Sequence, residues 1–172
     1  GTSYATWGQD IIPFFIFYSM FGFQRVGDLV WSFGDQRGRG FMLGATAGRT
    51  TLLGEGLQHQ DGQSLLYASA YPNVVSYDPA FAYELATIIQ DGIRRMLGTG
   101  DDVVYYLALY NENYPMPAMP DGVHDDLLRG LYRFAEAPEG PSNLATILFS
   151  GPMWQAASAA RDELAQHYDV AA

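Results

Sequence analysis

The fold is decided by the stretch IIPFFIFY, residues 11–18, which is apolar or aromatic at every position. Its apolar residues run without a break instead of alternating with polar ones, which is typical of a strand buried on both faces of a parallel sheet. From Phe23 to Phe33, apolar residues recur at three- and four-residue steps, the spacing of one helical face. The sequence therefore predicts a central parallel strand followed by a helix.

The same alternation of strand and helix continues along the chain. Three further apolar runs predict strands, at residues 41–45, 73–77 and 103–110. Residues 63–71 predict a short helix before the third strand, and Asp78-Pro79 fits a helix N-cap with proline at the first helical position. The helix that follows is expected to end near Gly98. These patterns predict an α/β fold, a mostly parallel sheet flanked by helices.

The last third of the chain has a different organisation. Residues 123–134 predict a short closing element, either helical or strand-like, and residues 111–120, with three prolines, an extended loop. Residues 137–142 contain two prolines and a glycine, the composition of a linker. A buried strand at residues 144–149 and a helix at residues 153–168 are expected beyond it. We expect residues 1–136 to be part of one α/β domain and residues 143–172 to be the opening βα unit of a second.

Composition excludes several chemistries. The chain of 172 residues has 9 Lys+Arg against 19 Asp+Glu, a formal charge of −10, which is unsuited to binding a nucleic-acid backbone. All nine cations are arginines and cysteine is absent, so Schiff-base lysines, cysteine nucleophiles and thiolate metal sites are excluded. The most apolar stretch, residues 11–23, is shorter than a membrane helix requires. We expect no membrane span, no signal peptide, and a chain that is a piece of a longer protein.

Candidate chemistry lies in the loop after the second strand, because ligands bind open α/β sheets at the carboxyl ends of the strands. The loop, GRTTLLGEGLQHQDG at residues 48–62, contains Glu55, His59 and Asp61 among four glycines. A histidine there can transfer protons to a bound substrate, or Glu55 and His59 simply bind each other or cap the next helix. The spacing matches no recognised zinc site, so no metal site is expected.

Outside this loop, few residues are candidates for binding a ligand. Tyr18 and Phe21 fall at the carboxyl end of the first strand, where a planar heteroaromatic ligand can stack. The short motif at residues 38–40, GRG, is interpreted as a surface turn and not as a dinucleotide fingerprint. His124 and His167 lie on predicted helices beside charged neighbours and are expected to be solvated.

Four stretches together carry a family resemblance: PFFIFYSMFGFQR at residues 13–25, the loop at residues 48–62, SYDPAFAYE at residues 76–84, and NENYPMPAMP at residues 111–120. They resemble the homodimeric pyruvate dehydrogenase E1 components, thiamine diphosphate enzymes of bacteria. The resemblance implies an oxidoreductase that decarboxylates pyruvate on thiamine diphosphate and Mg²⁺ and reductively acetylates the lipoyl group of an E2 acyltransferase. It also implies a cytoplasmic homodimer whose active sites lie between two subunits.

The resemblance also assigns roles to single residues. It implies a transketolase-like fold in which residues 1–136 are part of the pyrimidine-binding middle domain. Tyr18 and Phe21 are expected around the aminopyrimidine and the substrate adduct. His59 is expected near the reacting intermediate, and Glu55 as a carboxylate near the cofactor. Tyr18, Glu55 and His59 are thus the predicted catalytic residues, and Tyr18 and Phe21 the predicted cofactor-binding residues.

In the family pattern, the glutamate that activates the pyrimidine lies before Gly1, and the Gly-Asp-Gly motif for Mg²⁺ and diphosphate lies in another domain. The chain alone is therefore expected to be inactive. Two alternatives stay open. One is a different 2-oxo acid dehydrogenase or transketolase-like E1, and the other is a non-catalytic assembly module.

Overall fold

The structure is a computed structural model that describes residues 2–172. The helices are α1 (Thr2–Trp7), α2 (Gly22–Asp35), α3 (Ser64–Ala68), α4 (Ala82–Ile93), α5 (His124–Arg129) and α6 (Trp154–His167). The strands are β1 (Phe14–Tyr18), β2 (Gly40–Ala45), β3 (Val74–Tyr77), β4 (Val104–Ala108), β5 (Asn143–Leu144) and β6 (Val170–Ala171). Short 3₁₀ turns occupy Leu57–His59 and Gly151–Met153, and α4 continues as a π-helical segment, Arg94–Thr99.

The first four strands form one parallel sheet in the order β1-β2-β4-β3. Tyr18, the last residue of β1, pairs with Ala45, the last residue of β2. The carboxyl ends of the strands therefore meet at one edge of the sheet, with helices between successive strands. This architecture confirms the predicted α/β class and its mostly parallel sheet.

Strand β4 is the centre of the core, and every one of its residues is buried. Its side chains alternate between the two faces of the sheet. Tyr105 packs with Phe41 and Ile88 in one buried cluster, while Tyr106 packs with Phe23 in the other. Both tyrosine side chains are fully buried. The sheet thus separates two apolar layers, as in a three-layer α/β arrangement.

The prediction that the first strand is central is wrong, because β1 is an edge strand in the described chain. It pairs with β2 alone, and Phe14, Phe15 and Ile16 are 46%, 49% and 64% exposed. An unbroken apolar run indicates that a strand is suited to burial on both faces, but it does not indicate how many strands lie beside it. The two inner strands of this sheet are β2 and β4.

The start of helix α4 also differs from the prediction. Helix α4 begins at Ala82 instead of after Asp78-Pro79, because Glu84 caps it. The Glu84 carboxylate accepts hydrogen bonds from the backbone N–H groups of Ala80 at 2.5 Å and Phe81 at 3.2 Å. A carboxylate in the first turn that accepts from the N–H of the N-cap residue is one half of a capping box and defines where the helix begins. The predicted end near Gly98 agrees with the end of the π-helical segment at Thr99.

The C-terminal segment also differs from the prediction. The buried strand predicted at residues 144–149 is wrong: strand β5 covers only Asn143–Leu144 and pairs with β6, and Leu144 and Leu148 are 82% and 73% exposed. A two-stranded sheet beside one helix offers too little surface to bury this run. The predicted helix at residues 153–168 is confirmed as α6, and the closing element at residues 123–134 contains α5.

The structure of residues 2–172 agrees with the predictions made for one loop and for two histidines. Residues 111–120 form no regular element, as predicted for an extended loop. The side chains of His124 and His167 are 56% and 60% exposed and lie beside carboxylates, which confirms that both are solvated. No helix in this part of the chain combines the length and the apolar character needed to cross a membrane.

Candidate active site

The turn after β1 places the first two candidate residues. The backbone N–H of Phe21 donates to the carbonyl of Tyr18 at 3.0 Å, which closes a tight turn before α2 begins at Gly22. A Cβ on Gly22 would lie 1.9 Å from the ring of Phe17, so only glycine fits there. The rings of Tyr18 and Phe21 lie side by side, with centroids 5.4 Å apart.

The loop after β2 brings the other two candidates to the same place. Within it, the 3₁₀ turn Leu57–His59 orients His59, whose Nδ1 atom lies 3.2 Å from the Tyr18 hydroxyl and 3.3 Å from Glu55 Oε2. The imidazole also contacts the Tyr18 and Phe21 rings edge-on, each at a centroid distance of 5.8 Å. Four residues from two separate segments therefore form one cluster at the carboxyl edge of the sheet, which we call the Tyr18–His59 cluster.

The Nδ1 atom of His59 is shared by two partners with opposite requirements. When Nδ1 carries a proton it donates to the Glu55 carboxylate, and when it does not it accepts from the Tyr18 hydroxyl. Burial, and then the negative charge of Glu55, raise the pKa of Tyr18 above the usual value, so its hydroxyl keeps its proton. The His59 side chain is 33% exposed. The Tyr18 hydroxyl and the His59 imidazole can therefore each carry a proton where a ligand can reach it.

Phe21 also has a cationic neighbour. The guanidinium carbon of Arg25 lies over its ring, 4.6 Å from the centroid, a geometry in which a cation is attracted to the negative face of the ring. This contact fixes the orientation of an aromatic ring that is otherwise only partly buried. The sequence analysis did not single out Arg25, although it follows Phe21 by four residues, the spacing at which side chains on a helix meet.

Asp61, the second acidic residue of the loop, does not join the cluster. Its buried carboxylate accepts from the Ser64 hydroxyl at 2.5 Å and from the backbone N–H groups of Gln63 and Ser64 at 3.1 and 3.0 Å. The hydroxyl of Tyr106 donates in turn to Ser64 Oγ at 2.8 Å. Asp61 therefore caps α3 and ties the loop to the core strand β4.

Within residues 2–172, no three His, Cys, Asp or Glu side chains are grouped so that they could hold a metal ion. A cavity of about 990 Å³ lies away from the Tyr18–His59 cluster. It is lined by the end of β3, by residues 130–137 and by residues 144–150. The cluster itself is on an open surface, with Leu53 and Leu57 beside it 76% and 74% exposed.

Comparison with known proteins gives a consistent result. Residues 1–117 match the family described as the pyruvate dehydrogenase E1 component middle domain. The chain is 53% identical to the pyruvate dehydrogenase E1 component of Cupriavidus necator over 98% of its own length and 19% of that protein. It is 56% identical to the protein of the same name from Mycolicibacterium smegmatis, again over 19% of the relative, and 50% identical to that of Escherichia coli K12. The chain thus spans about a fifth of the length of these relatives.

Solved structures agree on the fold. A transketolase from Campylobacter jejuni superimposes with a TM-score of 0.67 over 94% of this chain and 24% of its own, at 19% sequence identity. A transketolase variant from Pichia stipitis gives a TM-score of 0.65 over 92% of this chain and 22% of its own, at 18% identity. At such identities the likeness concerns the fold alone, which is therefore transketolase-like. With the match of residues 1–117, the chain belongs to the family of pyruvate dehydrogenase E1 components.

Proposed function

We propose that this chain is the part of a pyruvate dehydrogenase E1 subunit that contributes one half of its active site. The whole subunit would decarboxylate pyruvate with thiamine diphosphate and Mg²⁺ and pass the acetyl group to the lipoyl group of an E2 acyltransferase. The observation that carries the proposal is the Tyr18–His59 cluster, where an imidazole, a phenol, a carboxylate and an aromatic ring converge. The names of the relatives support the substrate and the reaction class.

The cluster fits the aromatic half of thiamine diphosphate. Phe21 and Tyr18 offer two adjacent rings, and Arg25 holds the first of them in place. Aromatic faces of this kind bind planar heteroaromatic rings by stacking. When bound, the cofactor supplies a nucleophilic carbon and an electron sink. In the family pattern the Gly-Asp-Gly motif lies in another domain, so Mg²⁺ and the diphosphate would be held by residues outside this chain.

The chain's own residues would bind and orient the substrate and move protons. Tyr18 would donate its hydroxyl hydrogen to an oxygen of the bound substrate, since its raised pKa keeps the phenol protonated. His59 would exchange a proton with the substrate, and Glu55 would accept from Nδ1 and so fix the tautomer and the orientation of the imidazole.

A site on an open surface needs more protein around it to exclude water from the reaction. We infer that a second E1 subunit supplies that surface, so that each active site lies between two chains. The chain alone would then be inactive. The proposed division is residues 1–136 for the middle domain, 137–142 for a linker and 143–172 for the start of the C-terminal domain. The relatives are bacterial, which supports a cytoplasmic bacterial enzyme.

The test replaces His59 by Asn in the full-length subunit. Removing a group that transfers protons is expected to lower kcat for pyruvate with an artificial electron acceptor by about 10²- to 10⁴-fold. His167→Asn is the matched control, because that side chain is 60% exposed on α6, and its activity is expected to equal the wild type.

Full activity of His59→Asn would refute the catalytic role. The substrate tests the proposal independently of any variant. Preferential turnover of 2-oxoglutarate by the wild type would favour another 2-oxo acid dehydrogenase. No turnover of either acid by the intact, cofactor-loaded protein would favour an assembly module.

A further inference from the structure

The two segments that form the Tyr18–His59 cluster are joined at a second point. The Gln63 amide nitrogen donates to the backbone carbonyl of Met20 at 3.3 Å and lies 2.9 Å from the Met20 sulfur. Its amide oxygen accepts from the backbone N–H of Gly62 at 3.0 Å. Met20 stands between Tyr18 and Phe21 in the turn after β1, and Gln63 follows His59 by four residues.

We propose that Gln63 is a positioning residue of the active site, which holds the loop with His59 at a fixed distance from the turn with Tyr18 and Phe21. This inference rests on the proposed function. A primary amide suits the role because it offers a donor and an acceptor at once. The reverse orientation of the amide would point its oxygen at the Met20 carbonyl oxygen, so the two contacts together determine how the side chain lies.

The backbone of Gln63 is held in place by hydrogen bonds that lead to the core. Its own backbone N–H donates to Asp61, the Ser64 hydroxyl donates to the same carboxylate, and the Tyr106 hydroxyl donates to Ser64. Tyr106 belongs to the fully buried strand β4. The side-chain amide of Gln63 therefore connects the core strand β4, through Ser64 and Asp61, to the turn that contains Met20.

Between the buried residues Leu52 and Asp61, the loop has no buried residue of its own. Leu53 and Leu57, on either side of Glu55, are 76% and 74% exposed and bury little surface. Segments with few buried contacts open and shift at low free-energy cost. The hydrogen bond from Gln63 to Met20 joins the loop to the turn at a point separate from the contacts of Tyr18 with His59 and Glu55. Losing it would let the spacing of the reacting groups drift.

The test measures steady-state kinetics of the full-length, cofactor-loaded enzyme carrying Gln63→Met. Methionine keeps the length of the side chain but neither donates to Met20 nor accepts strongly from Gly62. A displacement of about 1 Å in an active site can cost 10²-fold in rate, so we expect kcat to fall by roughly 10-fold or more. We also expect the pH profile of kcat/KM to change, because the partners of His59 Nδ1 change their spacing.

Gln36→Met is the matched control. Gln36 also donates from its side chain to a backbone carbonyl, that of Ser32 at 3.1 Å, but at the exposed end of α2. Its loss removes an equivalent hydrogen bond outside the site. We expect the control to leave kcat, KM and the pH profile unchanged.

A second variant, Gln63→Glu, keeps the inference testable if Gln63→Met does not fold. Its carboxylate still accepts from Gly62 but repels the Met20 carbonyl oxygen, whereas the protonated acid donates to that oxygen. The activity relative to wild type is therefore expected to rise as the pH falls towards about 4, the usual range of a glutamate pKa.

Wild-type kcat and an unchanged pH profile in Gln63→Met would overturn the inference. So would a loss of activity that follows a lower melting temperature and disappears on cooling, which is the behaviour of a structural residue. If Gln63→Met is active while His59→Asn is not, only this inference fails. If His59→Asn is active, the proposed function fails.

Discussion

Gly44, in strand β2, has no side chain, and the Tyr106 hydroxyl occupies the space where a side chain would lie. A Cβ at Gly44 would lie 2.2 Å from that oxygen and 2.9 Å from two carbons of the ring. The ring cannot swing aside, because it is stacked on Phe17 with centroids 5.8 Å apart and packs edge-on against Phe23 at 4.9 Å. We therefore predict that Gly44→Ala destabilises the sheet and disturbs the hydrogen bond that ties the active-site loop to it.

The size of the effect follows from the contacts. Overpacking a core by one carbon costs about 1–3 kcal/mol, and a 2.2 Å contact with an immobile ring belongs at the upper end, about 3 kcal/mol. Tyr106→Phe removes the oxygen and its hydrogen bond to Ser64, at a cost of about 1 kcal/mol. In the double variant only the two ring contacts remain strained, so its cost is expected to be about 2 kcal/mol. The two changes are thus less than additive by about 2 kcal/mol.

The assay is hydrogen exchange by mass spectrometry on the full-length subunit, read in peptides from β2 and β4. A destabilisation of about 3 kcal/mol raises the rate of exchange through opening by roughly 10²-fold. Gly54→Ala is the control, because nothing lies within 4 Å of a Cβ at that position. Wild-type exchange in Gly44→Ala, or a double variant in which the two costs simply add, would refute the packing argument.

Two further predictions concern other parts of the fold. Gly92→Ala in α4 is expected to destabilise the protein by about 1–2 kcal/mol, because the new Cβ would lie 2.6 Å from the Phe41 ring. This cost outweighs the better helix propensity of alanine. Higher protection of the α4 amides from hydrogen exchange would contradict this prediction. Burial opposes ionisation of Asp102, but hydrogen bonds from Arg37 and Arg39 outweigh it and hold its pKa below 3.8. Its contribution to stability is therefore present above pH 3.8 and lost as the pH falls below it, and Asp102→Asn should flatten the acid limb of the unfolding curve.

Much of the fold could be predicted from the sequence because element type depends on local periodicity. The alternation of apolar runs and helical stripes located β2, β3, β4, α2 and α6 within a few residues. It could not locate the helix start at Ala82, because the cap is formed by a carboxylate inside the first turn and not by the Asp78-Pro79 pair that resembles one. It also could not show that β1 lies at an edge, since strand order depends on contacts between distant segments.

The candidate site was predictable in part for the same reason. The residues at the end of β1 and in the loop after β2 stood out because parallel strands bring their carboxyl ends together. Their mutual contacts span 41 residues of sequence from Tyr18 to His59, and no local pattern encodes the distance between them. The role of Gln63 was not visible either, because its partner, Met20, lies 43 residues away.

The adjacent pair Tyr105 and Tyr106 separates what sequence and structure each determine. By itself the sequence determined that both lie in a buried strand and, through the alternation of strand side chains, that they face opposite layers. Only the tertiary structure decided their partners: Tyr105 donates to Asp91 at 2.7 Å on α4, and Tyr106 donates to Ser64 at 2.8 Å, which supports the active-site loop. The physical reason is that burying a hydroxyl costs free energy unless it is hydrogen-bonded, but which group satisfies it depends on how the whole chain packs.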